Sequence, residues 1–230
     1  MEQLESRLYG IAELMEISHR EIYETIKKGE LKDDTGFMGY NPYLLHSSVA
    51  ALASSPELQG RKPITLDLGC GNGGFSLMMA SLGFPSFGID INPYLIEKAG
   101  ENHAKAVERS LIDDKTRVGF AAGNFYPKNF LDEYRSFALR NRTSNASIPL
   151  SEEKNPYEEL GITLSEAGII YSWINMEQDD FFTHVVLRET KPGTIFALPN
   201  MNHYKAHRSP LRLVHLNATG NTFYLGKRAA

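Results

Sequence analysis

Residues 63–75 read Pro63-Ile64-Thr65-Leu66-Asp67-Leu68-Gly69-Cys70-Gly71-Asn72-Gly73-Gly74-Phe75, an apolar run that ends in a glycine cluster and hands over to Ser76, Leu77, Met78, Met79 and Ala80. A short apolar run bounded by glycine reads as a buried strand, and the residues beyond the cluster read as a helix that stops at Gly83. Strand, glycine loop and helix in that order form the first crossover unit of a parallel sheet. Glycine in such a loop lets the backbone take positive φ and lets a ligand approach without meeting a β-carbon.

The same alternation continues outward. Ser86 to Ile91 reads as a second strand, and Asn92 caps a helix that has Pro93 at its first position and runs through Leu95, Ile96, Ala99, Ala104 and Val107 toward Leu111. Val118 to Ala122, Gly168 to Trp173 and Thr194 to Leu198 supply three more strands, with helical signals near Phe130 to Leu139 and Gln178 to Thr190. Leu211 to Asn217 and Thr222 to Leu225, around Gly220 and Asn221, read as a closing hairpin. The pattern is that of an α/β fold with a doubly wound, mostly parallel sheet and a C-terminal antiparallel hairpin.

The core so defined covers residues 59–230, with an insertion at about 126–166. Within it Asn141 to Pro156 is rich in Ser, Asn, Glu and Pro, which makes it a candidate cover over a site. Residues 1–58 read as a helical N-terminal extension, from Leu4, Leu8, Ile11, Leu14 and Met15 to Ile22, Ile26 and Leu31. Thr35 and Gly36 interrupt that pattern, and an aromatic turn, Tyr40-Asn41-Pro42-Tyr43, precedes a second helical run at Leu44 to Leu52. By its position the turn is expected to fold over the ligand cleft.

Composition narrows the class. The 230 residues are 42% hydrophobic and 23% charged, which fits one globular domain and excludes disorder, collagen-like sequence and coiled coil as descriptions of the whole. The single cysteine, Cys70, excludes an intrachain disulfide and a multi-cysteine zinc site, and no metal is expected. No run approaches the roughly 18 apolar residues of a membrane span. The opening Met1-Glu2-Gln3-Leu4-Glu5 is acidic where a secretion signal is basic, so a cytoplasmic location without a membrane partner is expected. A net charge of −4 gives no sign of a nucleic-acid partner.

Asp90 lies nineteen residues beyond Gly71, at the end of the second strand, where a carboxylate can accept two hydrogen bonds from a ribose diol. Loop and acid together point to a nucleoside ligand. Gly69, Gly71 and Gly74 satisfy the dinucleotide spacing G-x-G-x-x-G, so a nicotinamide-dependent oxidoreductase stays open on spacing, as does a non-catalytic scaffold. Asp67 weighs against a dinucleotide, because a carboxylate at the end of the first strand suits a cationic amino group and sits poorly beside a pyrophosphate.

With Asp67, Gly69, Gly71 and Gly73, the loop resembles the first motif of the class I S-adenosylmethionine-dependent methyltransferases, an acid, one residue, then G-x-G-x-G. The resemblance runs from about Pro63 to Lys227 and implies a Rossmann-like fold, S-adenosyl-L-methionine as cofactor, and methyl transfer as activity. Gly88-Ile89-Asp90-Ile91-Asn92 resembles the second motif, with Asp90 on the ribose. Gly123-Asn124 resembles a Gly-Asp pair that recognises the adenine amino group. Asn for Asp keeps a carbonyl acceptor and loses the charge, and Phe125 is placed to stack on the ring. The cofactor-binding set implied is therefore Asp67, Gly69, Cys70, Gly71, Asn72, Gly73, Asp90, Ile91, Asn124, Phe125 and Tyr171. No NPPY or DPPY follows the fourth strand; Tyr171-Ser172-Trp173-Ile174 stands there, unlike the enzymes that methylate adenine or glutamine amino groups.

Methyl transfer from a sulfonium is an in-line displacement, for which proximity and orientation can supply on the order of 7–11 kcal/mol without a dedicated catalytic side chain. A general base matters only for a protonated nucleophile. Candidates at the carboxyl ends of the strands are Tyr126, Tyr171, Trp173, Glu177 and Asn200, with Tyr171, Trp173 and Glu177 foremost. Asp179 and Asp180 read as partners of a helix dipole, Cys70 as a packed small residue, and His203, His207 and His215 as ordinary histidines without metal spacing. The weak basic character and the insertion favour a small-molecule acceptor over protein or RNA. The acceptor atom and the oligomeric state carry no sequence signature.

Overall fold

Seven strands form one sheet in the order β3-β2-β1-β4-β5-β7-β6, in a computed structural model that describes residues 2–31, 39–126, 133, 155–172, 188–198, 211–218 and 221–228. The elements run α1 (Glu2–Lys27), α2 (Pro42–Ala53), β1 (Thr65–Leu68), α3 (Gly74–Ser81), β2 (Ser86–Asp90), α4 (Pro93–Glu108), β3 (Val118–Ala122), α5 (Pro156–Leu160), β4 (Ile169–Ser172), β5 (Ile195–Leu198), β6 (Leu211–Ala218) and β7 (Asn221–Arg228). β1 to β5 are parallel; β7 pairs antiparallel with β5, and β6 with β7. This is an α/β fold with a Rossmann-like parallel sheet.

The central strands are short and apolar because both faces are covered, the usual condition of a parallel sheet. Every residue of β1, β2 and β4 is buried. The chain moves the same way from β1 to β2 and from β2 to β3, so right-handed crossovers place α3 and α4 on one face. α1 packs on α3 and α4, and α2 on α1 and α3, adding a second tier to that layer. Leu8, Ile11, Ala12 and Met15 of α1 and Leu45, Val49 and Leu52 of α2 enter the same core as Phe75, Leu77 and Met78 of α3. The N-terminal helices and the sheet thus share one hydrophobic interior.

Two local details depart from the sequence expectations. The helix expected to reach Leu111 ends at Glu108, because Ser110 takes a left-handed φ of 56° and turns the chain back. The returning Leu111 side chain then lies against Gly10 of α1, where a β-carbon would come within 2.6 Å of it. The end of the expected insertion carries a helix that the sequence reading did not give: α5 lies on β3, with Pro156 against Gly123 and Leu160 against Gly119. The Tyr157 hydroxyl donates to the Phe125 carbonyl, so this part braces the segment that follows β3. The helical signals near 130–139 and 178–190 fall almost wholly outside the described residues.

Candidate functional site

The strand order reverses between β2-β1 and β1-β4, and in open α/β sheets the crevice at that point, beyond the carboxyl ends of the strands, takes the ligand. The glycine loop lies there. Gly69, Gly71 and Gly73 have φ of 82°, 55° and 88°, in the region where a side chain is strained. They differ in what surrounds them. A β-carbon at Gly69 would meet nothing within 4 Å, so this glycine presents the open side of the loop. One at Gly73 would lie 3.0 Å from the Phe120 ring, so this glycine permits close packing of α3 on the sheet.

Asp90 holds the loop in shape. Its Oδ2 accepts the Gly71 N–H at 2.8 Å and its Oδ1 the Asn92 N–H at 2.9 Å. The expected ribose acceptor is therefore first a clamp between the glycine loop and the start of α4. A carboxylate has about four acceptor positions, so lone pairs remain for hydroxyl donors. Ile91, half-buried, follows it. Cys70 packs its sulfur into the space left by Gly88, where a β-carbon would lie 2.7 Å from Sγ. Burial and the nearby Asp67 and Asp90 push its thiol well above the ordinary range, so it is a neutral packing group.

Asp67 is aligned in register with Gly88 on β2 and Tyr171 on β4, and its side chain passes beneath the first turn of α3. It is 1% exposed. Oδ2 accepts the Ser76 hydroxyl at 3.3 Å, while Oδ1 has no hydrogen-bond partner among the described residues. Burial pushes the carboxyl up to about 8, against the pull of the Ser76 hydroxyl and reinforced by the Asp90 charge. Tyr171 is buried beside it and stacks on Phe75, with centroids 3.9 Å apart and planes at 13°. Its phenol is raised well above the usual value by burial and by Asp67, so it serves as wall rather than base.

Asn72, expected at the cofactor, has its side chain turned into the interior. Its Nδ2 donates to Ser18 Oγ of α1 at 3.0 Å, the same oxygen that accepts Asn102 Nδ2 of α4 at 3.0 Å. Asn102 Nδ2 also donates to the Asn72 carbonyl at 3.1 Å. Asn124 likewise differs in detail: its Oδ1, the expected acceptor for an amine, takes the Tyr126 N–H at 2.9 Å, and the atom left without a partner is the donor Nδ2. Phe125 is half-buried beside Tyr126, with ring centroids 4.7 Å apart. Trp173, Glu177, Asp179, Asp180, Asn200, His203 and His207 lie outside the described residues, as does the side chain of His215.

Position alone suggested that the aromatic turn reaches the loop, and one of its residues does. The Tyr40 hydroxyl lies where a β-carbon of Gly74 would stand. The His19 ring of α1 meets the Tyr40 ring edge-on at 4.6 Å and 90°. Burial lowers His19 to about 4, so the imidazole is neutral at pH 7. Sequence reasoning missed the roles of Ser18 and His19, although a signal was present: two polar residues interrupt the core-facing row that runs from Met15 to Ile22.

Residues 61–119, which contain the whole glycine loop, Asp90 and α4, match the profile of a family described as a methyltransferase domain. The match covers 59 of the chain's 230 residues. The solved structures that resemble the chain include an RNA methyltransferase from Salinibacter ruber in complex with S-adenosyl-L-homocysteine, at 17% identity over 84% of this chain and 94% of that one, with a TM-score of 0.50. The mitomycin 7-O-methyltransferase MmcR matches at 14% identity over 82% of this chain, with a TM-score of 0.50; the match spans 55% of that enzyme. Likeness at this identity is one of fold, the α/β Rossmann-like fold described above. No curated protein matches the sequence. The described residues include no cluster of metal-ligating side chains and no helix long and apolar enough to cross a membrane.

Proposed function

We propose that this chain binds S-adenosyl-L-methionine at the Gly69–Gly74 loop and transfers its methyl group to a small-molecule acceptor. One observation carries the reading: Asp67 lies buried under the first turn of α3 with one carboxylate oxygen unsatisfied. A pyrophosphate binds at a helix N-terminus through the amides there, and a carboxylate in that place repels it. A cationic amino group, in contrast, supplies the donor that the buried oxygen lacks.

Other residues fit the remainder of the cofactor. Asp90 keeps acceptor capacity for two ribose hydroxyls while fixing the loop through Gly71 and Asn92. Asn124 Nδ2 offers a buried donor suited to a ring nitrogen of adenine, the complement of the acceptor role expected from sequence. The open side at Gly69 leaves room for the ligand to lie on the backbone. The bound cofactor supplies a methyl group on a sulfonium, with a neutral thioether as leaving group. The protein's task is to orient the two reactants and exclude water, which needs no proton-transfer residue unless the acceptor arrives protonated. A net charge of −4 supports a small molecule over RNA, whose phosphates call for a basic face.

Isothermal titration with S-adenosylmethionine and S-adenosylhomocysteine, with reduced nicotinamide cofactors in parallel, tests the reading. Micromolar binding of the first pair alone is expected. Binding of the nicotinamides alone would refute it and assign the loop to a dinucleotide.

A further inference from the structure

Asn72 stands between two glycines that hold left-handed φ, 55° at Gly71 and 88° at Gly73. Glycine leaves such a conformation as easily as it enters it, so a loop hinged on both sides of one residue keeps a single shape only where something fastens it. Two fastenings are local: the Gly71 amide donates to Asp90 Oδ2 at 2.8 Å and the Gly73 amide to the Cys70 carbonyl at 2.9 Å. Neither of them fixes Asn72 itself. Its side chain is held by Ser18 of α1, 54 residues away and outside the residues that match the methyltransferase profile. Its carbonyl is held by Asn102 of α4.

Ser18 is the hub of this arrangement. Its Oγ accepts both Asn72 Nδ2 and Asn102 Nδ2, so one oxygen joins the glycine loop to two helices. All three side chains are buried, and water does not compete for the bonds. α4 is thereby tied to the loop twice, at its start through Asp90 on the Asn92 amide and in mid-helix through Asn102. His19, the next residue of α1, faces the same amide, since the Asn72 side chain holds its imidazole up against the burial that lowers it. Apolar side chains of the same size would keep α1 on α3 and α4 about as well, because replacing both partners of a buried hydrogen bond is nearly neutral. The polar hub adds direction: it fixes where Asn72, and with it the loop backbone, stands.

We propose that Ser18 is a positioning residue for cofactor binding: through Asn72 it holds the glycine loop in the shape that binds, so that α1 docked on the fold and a ligand in the loop favour each other. This rests on the cofactor reading above. Ser18 is itself 1% exposed, so it acts through Asn72 rather than on the ligand. A ligand that meets a loop already in its binding shape keeps its full affinity, whereas a loop that holds that shape only part of the time lowers the affinity in proportion. The coupling runs both ways, since a ligand that selects the ordered loop also strengthens the loop's hold on α1.

The test is a double-mutant cycle on Ser18→Ala, Asn72→Ala and the pair together, read by calorimetric titration with S-adenosylhomocysteine on protein that circular dichroism shows to be folded. Ser18→Ala is expected to weaken binding about tenfold, within the range that couplings between distinct sites span. In the Asn72→Ala background the same change is expected to move affinity by less than about twofold, because the link is already cut. A Ser18→Ala that binds within about twofold of wild type would overturn the assignment. So would a loss of equal size in both backgrounds, which is the mark of a loosened fold and not of the link. Ser18→Cys keeps the packing and offers a weaker acceptor, so it is expected to weaken binding less than Ser18→Ala. It enters the same cycle, with the same two refuting outcomes, should the alanine variant not fold. A wild type that does not bind S-adenosylhomocysteine refutes the cofactor reading and this assignment with it, whereas a wild type that binds beside either refuting pattern overturns the assignment alone.

Discussion

Replacing Ser18 by alanine removes one oxygen and strands two amide donors. Ser18 Oγ accepts from Asn72 Nδ2 and Asn102 Nδ2, each at 3.0 Å, and the three side chains are 1%, 0% and 1% exposed. Water cannot replace the lost acceptor without entering a packed interior, so each N–H bears its desolvation cost, about 1–3 kcal/mol for a buried donor. Asn102 keeps its second bond to the Asn72 carbonyl at 3.1 Å, and the variant no longer buries a serine hydroxyl. Both offsets place the expected loss in the lower part of the summed range, about 2–4 kcal/mol. For a domain of this size that corresponds to a melting midpoint lower by roughly 5–15 °C. Ser47→Ala is the control, because its half-buried hydroxyl makes a single 3.2 Å bond to the Tyr43 carbonyl, and it should fall within about 0.5 kcal/mol of wild type. Thermal unfolding followed by circular dichroism reads the shift. Amide exchange at Gly71 and Gly73 should quicken alongside it, since Asn72 lies between them. A Ser18→Ala midpoint within about 2 °C of wild type would refute the argument that this triad ties the glycine loop to α1 and α4.

The Asp67 carboxyl, raised to about 8 from an ordinary 3.8, makes cofactor binding pH-dependent. An ammonium ligand needs the carboxylate, so affinity for S-adenosylhomocysteine should rise with pH up to about 8 and protons should be released on binding; titration in buffers of different ionisation enthalpy reads the release, and Asp67→Asn should abolish it. In the free protein the folded state holds this proton more tightly than the unfolded one. Its stabilising contribution is therefore full below about 3.8 and lost as pH rises through about 8, a trend that denaturant titration should show and that Asp67→Asn should flatten. Gly69→Ala and Gly73→Ala should separate two uses of glycine. Both incur the left-handed backbone cost of about 1–2 kcal/mol. Gly73→Ala adds a clash with Phe120 and should melt lower still, while Gly69→Ala should melt higher than Gly73→Ala and lose cofactor affinity, because its new methyl group points into open space at the loop.

Local chemistry explains which parts were legible from sequence. The strands β1, β2 and β3 and the Asn92 cap of α4 follow from apolar runs, glycine punctuation and a side-chain acceptor before proline, all short-range signals. Asp67 and Asp90 stood out because carboxylates at strand ends are costly unless something accepts their charge. The direction in which a side chain points was less legible. Asn72 and Gly71 are neighbours in one loop, yet the Asn72 side chain serves the interior while the Gly71 amide serves Asp90. Asn124 was read by its carbonyl, and the loop geometry spends that atom on Tyr126.

By itself the sequence determines that a strand, a glycine loop and a helix open a parallel sheet, and that an acid stands near the carboxyl end of each of the first two strands, because these depend on residue type and near-neighbour spacing. The tertiary structure alone decides what meets the loop from a distance in the chain. Ser18 reaches Asn72 across 54 residues, and Tyr40 comes to rest on Gly74 from a turn that no local pattern ties to it. Such contacts arise only when α1 and α2 bury their apolar faces against α3, since packing brings together polar groups that then must satisfy one another or a ligand.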